Sequence, residues 1–532
     1  MRRWNGWGDD TVLYPLVPAA ESFLVEQIGA GTPVRGAGLR EVVAGIPDSR
    51  LPENSMFTTD PEQRLRHARG QSLPDWIALR TGSINNFPDG VAFPENDSDV
   101  ADLIQYANHK GTRLIPFGGG TSVVGHINPA AGDQPVLTVN MRRLNRPRGF
   151  NEEDKLATFG AGISGPELEA QLRARGCTLG HYPQSFEYST LGGWIATRSS
   201  GQQALLYGRI EDLFAGGTLL TPAGELILPP HPASAAGPDL RHLVLGSEGR
   251  IGIITEAAVK VSGLPEVEEF HGLFFPDFSS GQTTVREMVQ SKLPLSMLRL
   301  STPVETETTL VMAGHEHAIG LLGRYLNLRG ISQERSLLLV GLSGNGRIVS
   351  AARKEAIAIA KQNGGILVGK QFGDQWRKSR FRSPYLRNTL WEKGYAVDTL
   401  ETAVPWHRID ETLEAIENAI RDAIVPAGER VHVFSHLSHL YSSGASVYVT
   451  YIFRLADNAE ETLARWYTMK TAASNVIVSG GGTISHQHGV GLDHKPYLAA
   501  EKGKLGTNLI SDAFRRADPG GIMNPGKLID AG

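Results

Sequence analysis

The stretch PFGGGTSVVGH, residues 116–126, sets three consecutive glycines after a short apolar run and follows them at once with Thr121 and Ser122. Backbone that bare lets successive N–H groups converge on an anion while the hydroxyls add donors, so it reads as a phosphate-seeking loop, with a structural turn as the alternative. No Lys follows the last glycine, which excludes a Walker loop. A second pattern, Gly160, Gly162 and Gly165 in GAGISG, has dinucleotide-loop spacing between a strand pattern and a helix pattern. The carboxylate due about 20 residues later at a strand end is missing, so this one reads as a tight turn. The run VHVFSHLSHLYSSGASVYV carries His432, His436 and His439, read either as metal ligands or, preferred for each singly, as polar-loop or hydrogen-bonded core histidines. In SHQHGVG, a strand would put His486 and His488 on one face and turn Gln487 away. Arg387 in SPYLRNTLWEKG carries a fork suited to two oxygens of a phosphate or carboxylate, against the alternative of an exposed helix arginine.

These groups need a scaffold, and 532 residues predict two or three domains able to bury a large ligand. The 61 glycines crowd between residues 111 and 265 and again from 480 to 526, marking two regions where backbone approaches something closely. In ENDSDVADLIQYANHKG, Val100, Leu103, Ile104 and Ala107 predict a helix with Asp97 or Ser98 as N-cap and Gly111 as stop; TRLIPF then predicts a strand entering the glycine run. KLATFGAGISGPELEAQLRARG predicts strand, turn and helix. Later alternations such as SVYVTYIFRL interleave with helical patterns and predict an α+β unit on an antiparallel sheet. The expected division is an N-terminal extension to 86, a glycine-rich α+β domain over 87–266, a second α+β domain over 267–470, and a segment 471–532 returning to the first.

PFGGGTS, QSFEYSTLGGWIATRSSGQQALLYGRIEDL, GPDLRHLVLGSEGRIGIITEA, ETAVPWHRI, YSSGASVYV and GGTISHQHGVG, with RWNGWG at the start, resemble in order the segments of the alkylglycerone-phosphate synthases, flavoproteins of the vanillyl-alcohol oxidase family. The resemblance implies a two-subdomain PCMH-type FAD-binding domain, an α+β cap domain and non-covalent FAD. It implies cofactor contacts from Pro116, Phe117, Gly118, Gly119, Gly120, Thr121 and Ser122, and from Gln184, Ser185, Phe186, Glu187, Tyr188, Ser189 and Thr190. Thr197, Arg198, Ser199 and Ser200, then Gly246, Ser247, Glu248, Gly249, Arg250, Ile251 and Gly252, complete that set. It implies Tyr441 as catalytic acid/base tuned by His486 and His488, and Arg387 and Arg299 as substrate-binding arginines. Gln487 stands where those synthases have a third histidine. His181 matches a family position without a defined role. Cys177 matches a cysteine that carries no flavin link, so an ordinary small buried residue is expected.

The activity so implied exchanges the acyl chain of an acyl-dihydroxyacetone phosphate for a fatty alcohol through an adduct at flavin N5, without net redox change. The alternative is an FAD-linked dehydrogenase or oxidase of a 2-hydroxy acid or glycerol phosphate, whose relatives hold a divalent metal; Val447 and Gln487 are read as replacing two of its ligands, so no metal is expected. Flavin binding without catalysis is a weaker third reading, because the active-site residues are retained. Hydrophobic residues make up 41% and charged residues 20%, with net charge −4 and no long run of one sign, which gives no reason to expect nucleic acid. One cysteine excludes a disulfide framework and fits a reducing compartment, and no run reaches the roughly 18 apolar residues of a membrane span. The expectation is a cytoplasmic enzyme of a lipid or hydroxy-acid substrate, with a peripheral membrane contact and a homodimer left open.

Overall fold

The computed structural model describes residues 1–530. Helix Asp97–Lys110 forms where the apolar spacing predicts it, with Val100, Leu103, Ile104 and Ala107 buried. Its N-cap is Asn96, one residue earlier than expected, whose Oδ1 accepts from the Asp99 N–H at 3.0 Å; Gly111 ends it at φ 63°. Strand Arg113–Phe117 follows and pairs in parallel with Val136–Asn140, while Gly90–Ala92 and Phe57–Thr58 complete a four-stranded sheet. The C-terminal end of that parallel strand delivers the glycine run to the crevice beyond the sheet, the usual ligand side of such strands.

A second sheet is antiparallel, in the order Pro147–Asn151, Leu156–Gly160, Ile253–Lys260, Phe214–Thr221, Gly224–Leu228. Between Leu156–Gly160 and helix Gly165–Arg173, the GAGISG segment is a chain crossing. A Cβ on Gly160 or Gly162 would strike the Leu144 or Met141 carbonyl oxygen.

Seven antiparallel strands make the third sheet: Ile366–Gly369, Val267–Phe275, Ser336–Gly344, Met297–Ser301, Val431–Tyr441, Gly444–Arg454 and Tyr395–Pro405. Strand alternation gives it two faces. Leu298, Leu300, Val447 and Val449 join a core with Ile416, Ile420 and Met469 of the covering helices. His436, Tyr448, Thr450 and Ile452 look instead into a cavity. Helix Ala459–Ser479 runs unbroken across residue 470, because Trp466, Met469, Ala473 and Ile477 form one buried face, so the division expected at 470 falls inside it.

Both ends of the chain come back to this cavity. Near the start, the Trp7 N–H donates to Asn388 Oδ1 at 3.2 Å and the Asn388 side chain donates to the Trp7 carbonyl at 3.0 Å. Helix Pro18–Ile28 then packs Leu24 and Ile28 against Leu390, Tyr395 and Ile452. At the other end the Leu114 N–H donates to the Ile522 carbonyl at 2.8 Å and the Asn524 N–H to the Leu114 carbonyl at 2.7 Å, beside the glycine run. Among the described residues no helix is long and apolar enough to cross a membrane.

Candidate active site

A cavity of about 910 Å³ is walled by the loops that leave the first two sheets and by the inner face of the third. On the loop side, Gly118 and Gly119 lie against the segment Tyr188–Thr190: a Cβ on Gly118 would collide with Thr190 Oγ1, and one on Gly119 with the Tyr188 carbonyl oxygen. Gly118 and Gly119 are therefore required by loop-on-loop packing. Thr190 also caps helix Leu191–Thr197. Ser122 Oγ lies 2.8 Å from His126 Nδ1, and His126 Nε2 lies 3.1 Å from Glu248 Oε1. Glu248 accepts the N–H groups of Val490 and Gly491 at 2.6 and 2.9 Å, and Asn524 Nδ2 donates to the carbonyls of His126 and Glu248 at 3.0 and 2.7 Å. Four loops far apart in sequence are thereby locked into one rim.

On the sheet side, the three histidines of strand Val431–Tyr441 separate. His432 is a core histidine, with Nε2 2.9 Å from Thr308 Oγ1 and its ring edge-on to Phe23. His436 lines the cavity, stacked on Tyr448 with Nδ1 3.0 Å from Glu305, which also accepts from Arg299 at 2.7 Å. Burial pushes the Glu305 carboxyl up, but Arg299 and His436 outweigh it and hold it at about 2. His439 sits at the strand's register shift with φ 49°, lines the cavity and places Nδ1 3.0 Å from Ser200 Oγ.

Tyr441 and His486 stand behind that wall. The Tyr441 hydroxyl is 2.6 Å from His486 Nε2 and accepts from Arg209 at 3.0 Å. Burial, then His439 and Arg209, keep the imidazole of His486 neutral with its pKa well below normal, so Nε2 can accept the tyrosine proton. Its Nδ1 faces Glu401, 3.9 Å away. Buried Glu401 accepts the N–H groups of Gln487 and His488 at 2.7 and 2.9 Å. Arg387 is held over the Trp76 ring at 4.4 Å and donates through Nη1 to the Gln71 carbonyl, while its Nε and Nη2 have no partner.

An FAD binding domain model matches residues 88–228, and a model of the C-terminal domain of FAD linked oxidases matches 264–528. The alkyldihydroxyacetonephosphate synthase of Dictyostelium discoideum is 33% identical over 99% of this chain and 93% of its own. The chain belongs to the alkyldihydroxyacetonephosphate synthase family. The Trypanosoma brucei brucei synthase is 31% identical over 99% of this chain and 92% of its own. A solved alkyldihydroxyacetonephosphate synthase superposes with a TM-score of 0.86 at 28% identity, covering 99% of each chain.

The family's cofactor is FAD, and the wall suits it. The segment Pro116–Val123 carries no carboxylate, and Thr121, Ser122, Thr190, Thr197, Ser199 and Ser200 turn hydroxyl-bearing residues to the cavity. The carboxylate on the loop side of the wall, Glu248, is engaged by main-chain N–H groups. Of the residues expected at the cofactor, Pro116, Phe117, Gly118, Gly119, Gly120, Gln184, Ser185, Ser189, Ser247, Gly249 and Gly252 also line the cavity. Phe186, Glu187, Tyr188, Arg198, Gly246, Arg250 and Ile251 stand outside its wall. Phe186 stacks on Phe381, Tyr188 meets Trp7 edge-on, and Arg250 donates to the Met523 carbonyl at 2.8 Å. They shape the loops from behind. His181 is buried against Trp194, and burial pushes its pKa down to about 3. Cys177 packs in the second sheet's core, away from the cavity wall.

Two expectations fail in this synthase-family site. Residues 480–494 form an irregular loop instead of a strand, because Glu401 gathers their N–H groups, and Gln487 joins His488 in the cavity wall while His486 lies behind it. Val447 is 0% exposed in the core on the far face of its strand, so it does not replace a ligand in the cavity; Tyr448 is the wall residue there. Sequence reading missed Arg209, Glu401, His439 as a wall residue, and Trp7. Glu401 lies in ETAVPW, Trp7 in RWNGWG and Arg209 in GRIEDL, all within the motifs that carry the resemblance, but none of these motifs assigns those side chains a place at the site.

Proposed function

We propose that this cavity exchanges the acyl chain of an acyl-dihydroxyacetone phosphate for a fatty alcohol and releases the fatty acid, a step of ether-lipid synthesis. The observation that carries the reading is the cavity's apolar end. Past Arg387 its wall is built by Val17, Met312, Leu386, Leu390, Phe434 and Ile452. A fatty chain gains about 0.8 kcal/mol per buried CH₂ there, whereas a small 2-hydroxy acid has nothing to place in it. In the same reading residues 87–266 hold the cofactor, 267–470 form the cap, and the two terminal segments, 1–86 and 471–532, close the cavity.

Arg387 is proposed to bind the phosphate: burial lowers its pKa to about 10, which leaves it charged at neutral pH with two unfilled donor directions. Arg299, already paired with Glu305, is proposed to fix that wall. FAD, when bound, supplies the reactive ring nitrogen beside which the exchange takes place. Tyr441 and His486 are proposed to hold the C1 proton of the headgroup while acid leaves and alcohol enters. Burial raises the tyrosine's pKa more than Arg209 lowers it, so the resting hydroxyl keeps its proton and donates it to His486 Nε2. Arg209, which donates to Oη at 3.0 Å and lies 2.6 Å from His486 Nε2, is the cation placed to stabilise the phenolate when that proton leaves. The test is anaerobic mixing of the holoenzyme with candidate substrates. The acyl ester of dihydroxyacetone phosphate should bleach the flavin absorbance and a fatty alcohol should restore it; lasting bleaching by a hydroxy acid or glycerol phosphate, with none by the acyl ester, would replace this reading with a dehydrogenase.

A further inference from the structure

A buried N–H without an acceptor is costly, and Trp7 holds one. It is 6% exposed, lines the cavity, and its Nε1 has no partner. Four other tryptophans are satisfied: Trp76 donates to Gln71 at 2.8 Å, Trp194 to Ser189 at 2.7 Å, Trp406 to the Tyr441 carbonyl at 3.1 Å and Trp466 to Asp398 at 2.6 Å. Trp7 is firmly placed. Asn388 grips the Trp7 main chain from both sides and is itself held by Arg80 at 3.0 Å. Its neighbour on helix Ser383–Glu392 is Arg387, whose Nη1 donates to the Gln71 carbonyl, and the Gln71 side chain reaches back to the Gly6 carbonyl at 3.5 Å. Gly6, beside Trp7, and Arg387 are thus both tied to Gln71, and Trp7 and Arg387 line the same cavity, each with donors unfilled. The nearby wall carboxylate, Asp398, is already taken by Trp466 and by the Tyr451 hydroxyl at 3.1 Å.

We propose that the Trp7 indole N–H donates to the substrate's phosphate beside Arg387, which makes the N-terminal extension part of the headgroup site. The inference rests on the acyl-exchange reading and adds a recognition element to it. A phosphate monoester offers more acceptor oxygens than one guanidinium fork fills, and an indole can only donate. A headgroup without phosphate leaves both donors buried and unpaired, so the pair selects for the anion.

The test compares the wild-type holoenzyme with Trp7→Phe, which keeps an aromatic ring and removes the N–H. KM for the acyl ester of dihydroxyacetone phosphate should rise about ten- to a hundredfold, the loss expected for a hydrogen bond to a charged group, with kcat, fatty-alcohol KM and FAD content near wild type. An unchanged KM overturns the proposal, as does loss of flavin with KM unchanged in the loaded fraction, which would assign the N–H to the cofactor. A crystal structure of the wild-type holoenzyme with glycerol 3-phosphate answers the same question even if the variant does not fold: a phosphate oxygen within hydrogen-bond reach of Nε1 is expected, and phosphate held elsewhere refutes it. Failure of the wild-type enzyme to turn over the acyl ester sinks the exchange reading; wild-type turnover with an indifferent Trp7→Phe sinks the Trp7 assignment alone.

Discussion

Glu401 decides where the side chains of the loop 480–494 stand. Its Oε1 takes the N–H groups of Gln487 and His488, and its Oε2, buried without a partner, faces His486 Nδ1. With Nε2 accepting from Tyr441, the proton of a neutral His486 must sit on Nδ1, toward that carboxylate. Tyr441→Phe should therefore keep fold and FAD and lose about 10² to 10⁴ in turnover, the usual worth of a positioned acid/base. Near wild-type turnover at full flavin content would move the assignment to His439, which faces the cavity directly. Glu401→Gln keeps the shape but puts N–H donors where the loop's own N–H groups must be accepted. Its turnover should fall about ten- to a hundredfold with flavin content retained. The readout that separates positioning from general destabilisation is the pH profile of kcat, which should shift in Glu401→Gln while its melting temperature stays within a few degrees of wild type.

At the scale of elements, the glycine run has a packing role that its sequence does not announce. The sequence reading assigns the glycines to backbone approach, whereas the Cβ directions of Gly118 and Gly119 point into the neighbouring loop. Gly119→Val must push the Tyr188 main chain away, so it should displace both loops together and give mostly colourless protein, although residue 119 has no side chain to lose. Full flavin content in purified Gly119→Val would show that the two loops need not touch to hold the cofactor. The elements legible beforehand were those with a strong local period: helix Asp97–Lys110, strand Arg113–Phe117 and the alternation SVYVTYIFRL, which supplies most of strand Gly444–Arg454. The His486–His488 segment was misread because two-residue spacing is also compatible with a loop, and the carboxylate that folds it lies 85 residues earlier. Arg209 reaches His486 across 277 positions and Trp7 reaches Asn388 across 381. Contacts at that range leave no periodic trace, and only the assembled sheets place such residues in one wall.

The whole molecule buries many titratable groups, which gives its stability a sign with respect to pH. Burial comes first among the causes that lower the pKa of seven histidines, His67, His181, His432, His436, His439, His486 and His494, with His67 and His432 at about 4 and His181 and His439 at about 3. Unfolded, each returns to about 6.5. Below that pH the unfolded chain binds more protons, so the stability these groups permit is complete above pH 6.5 and is lost as pH falls toward 4. Burial works oppositely on four carboxyls, Asp75, Glu187, Asp493 and Asp518, which it raises, Asp493 to about 7. In the native state these stay protonated at pH values where the unfolded chain has ionised them, so they favour folding as pH falls. The histidines outnumber these carboxyls, so they set the sign of the pH dependence between pH 6 and 4.5. The holoenzyme's melting temperature should accordingly fall steadily from pH 7 to pH 5, before ordinary carboxylate protonation begins. His432→Phe removes one titrating ring from the core without touching the cavity wall, and should make that fall shallower by about one proton's worth, roughly 1.4 kcal/mol per pH unit. A melting temperature that is flat or rising between pH 7 and pH 5, or a His432→Phe slope equal to wild type, would mean that these histidines are already charged in the folded protein and that His486 is not the neutral acceptor the tyrosine requires.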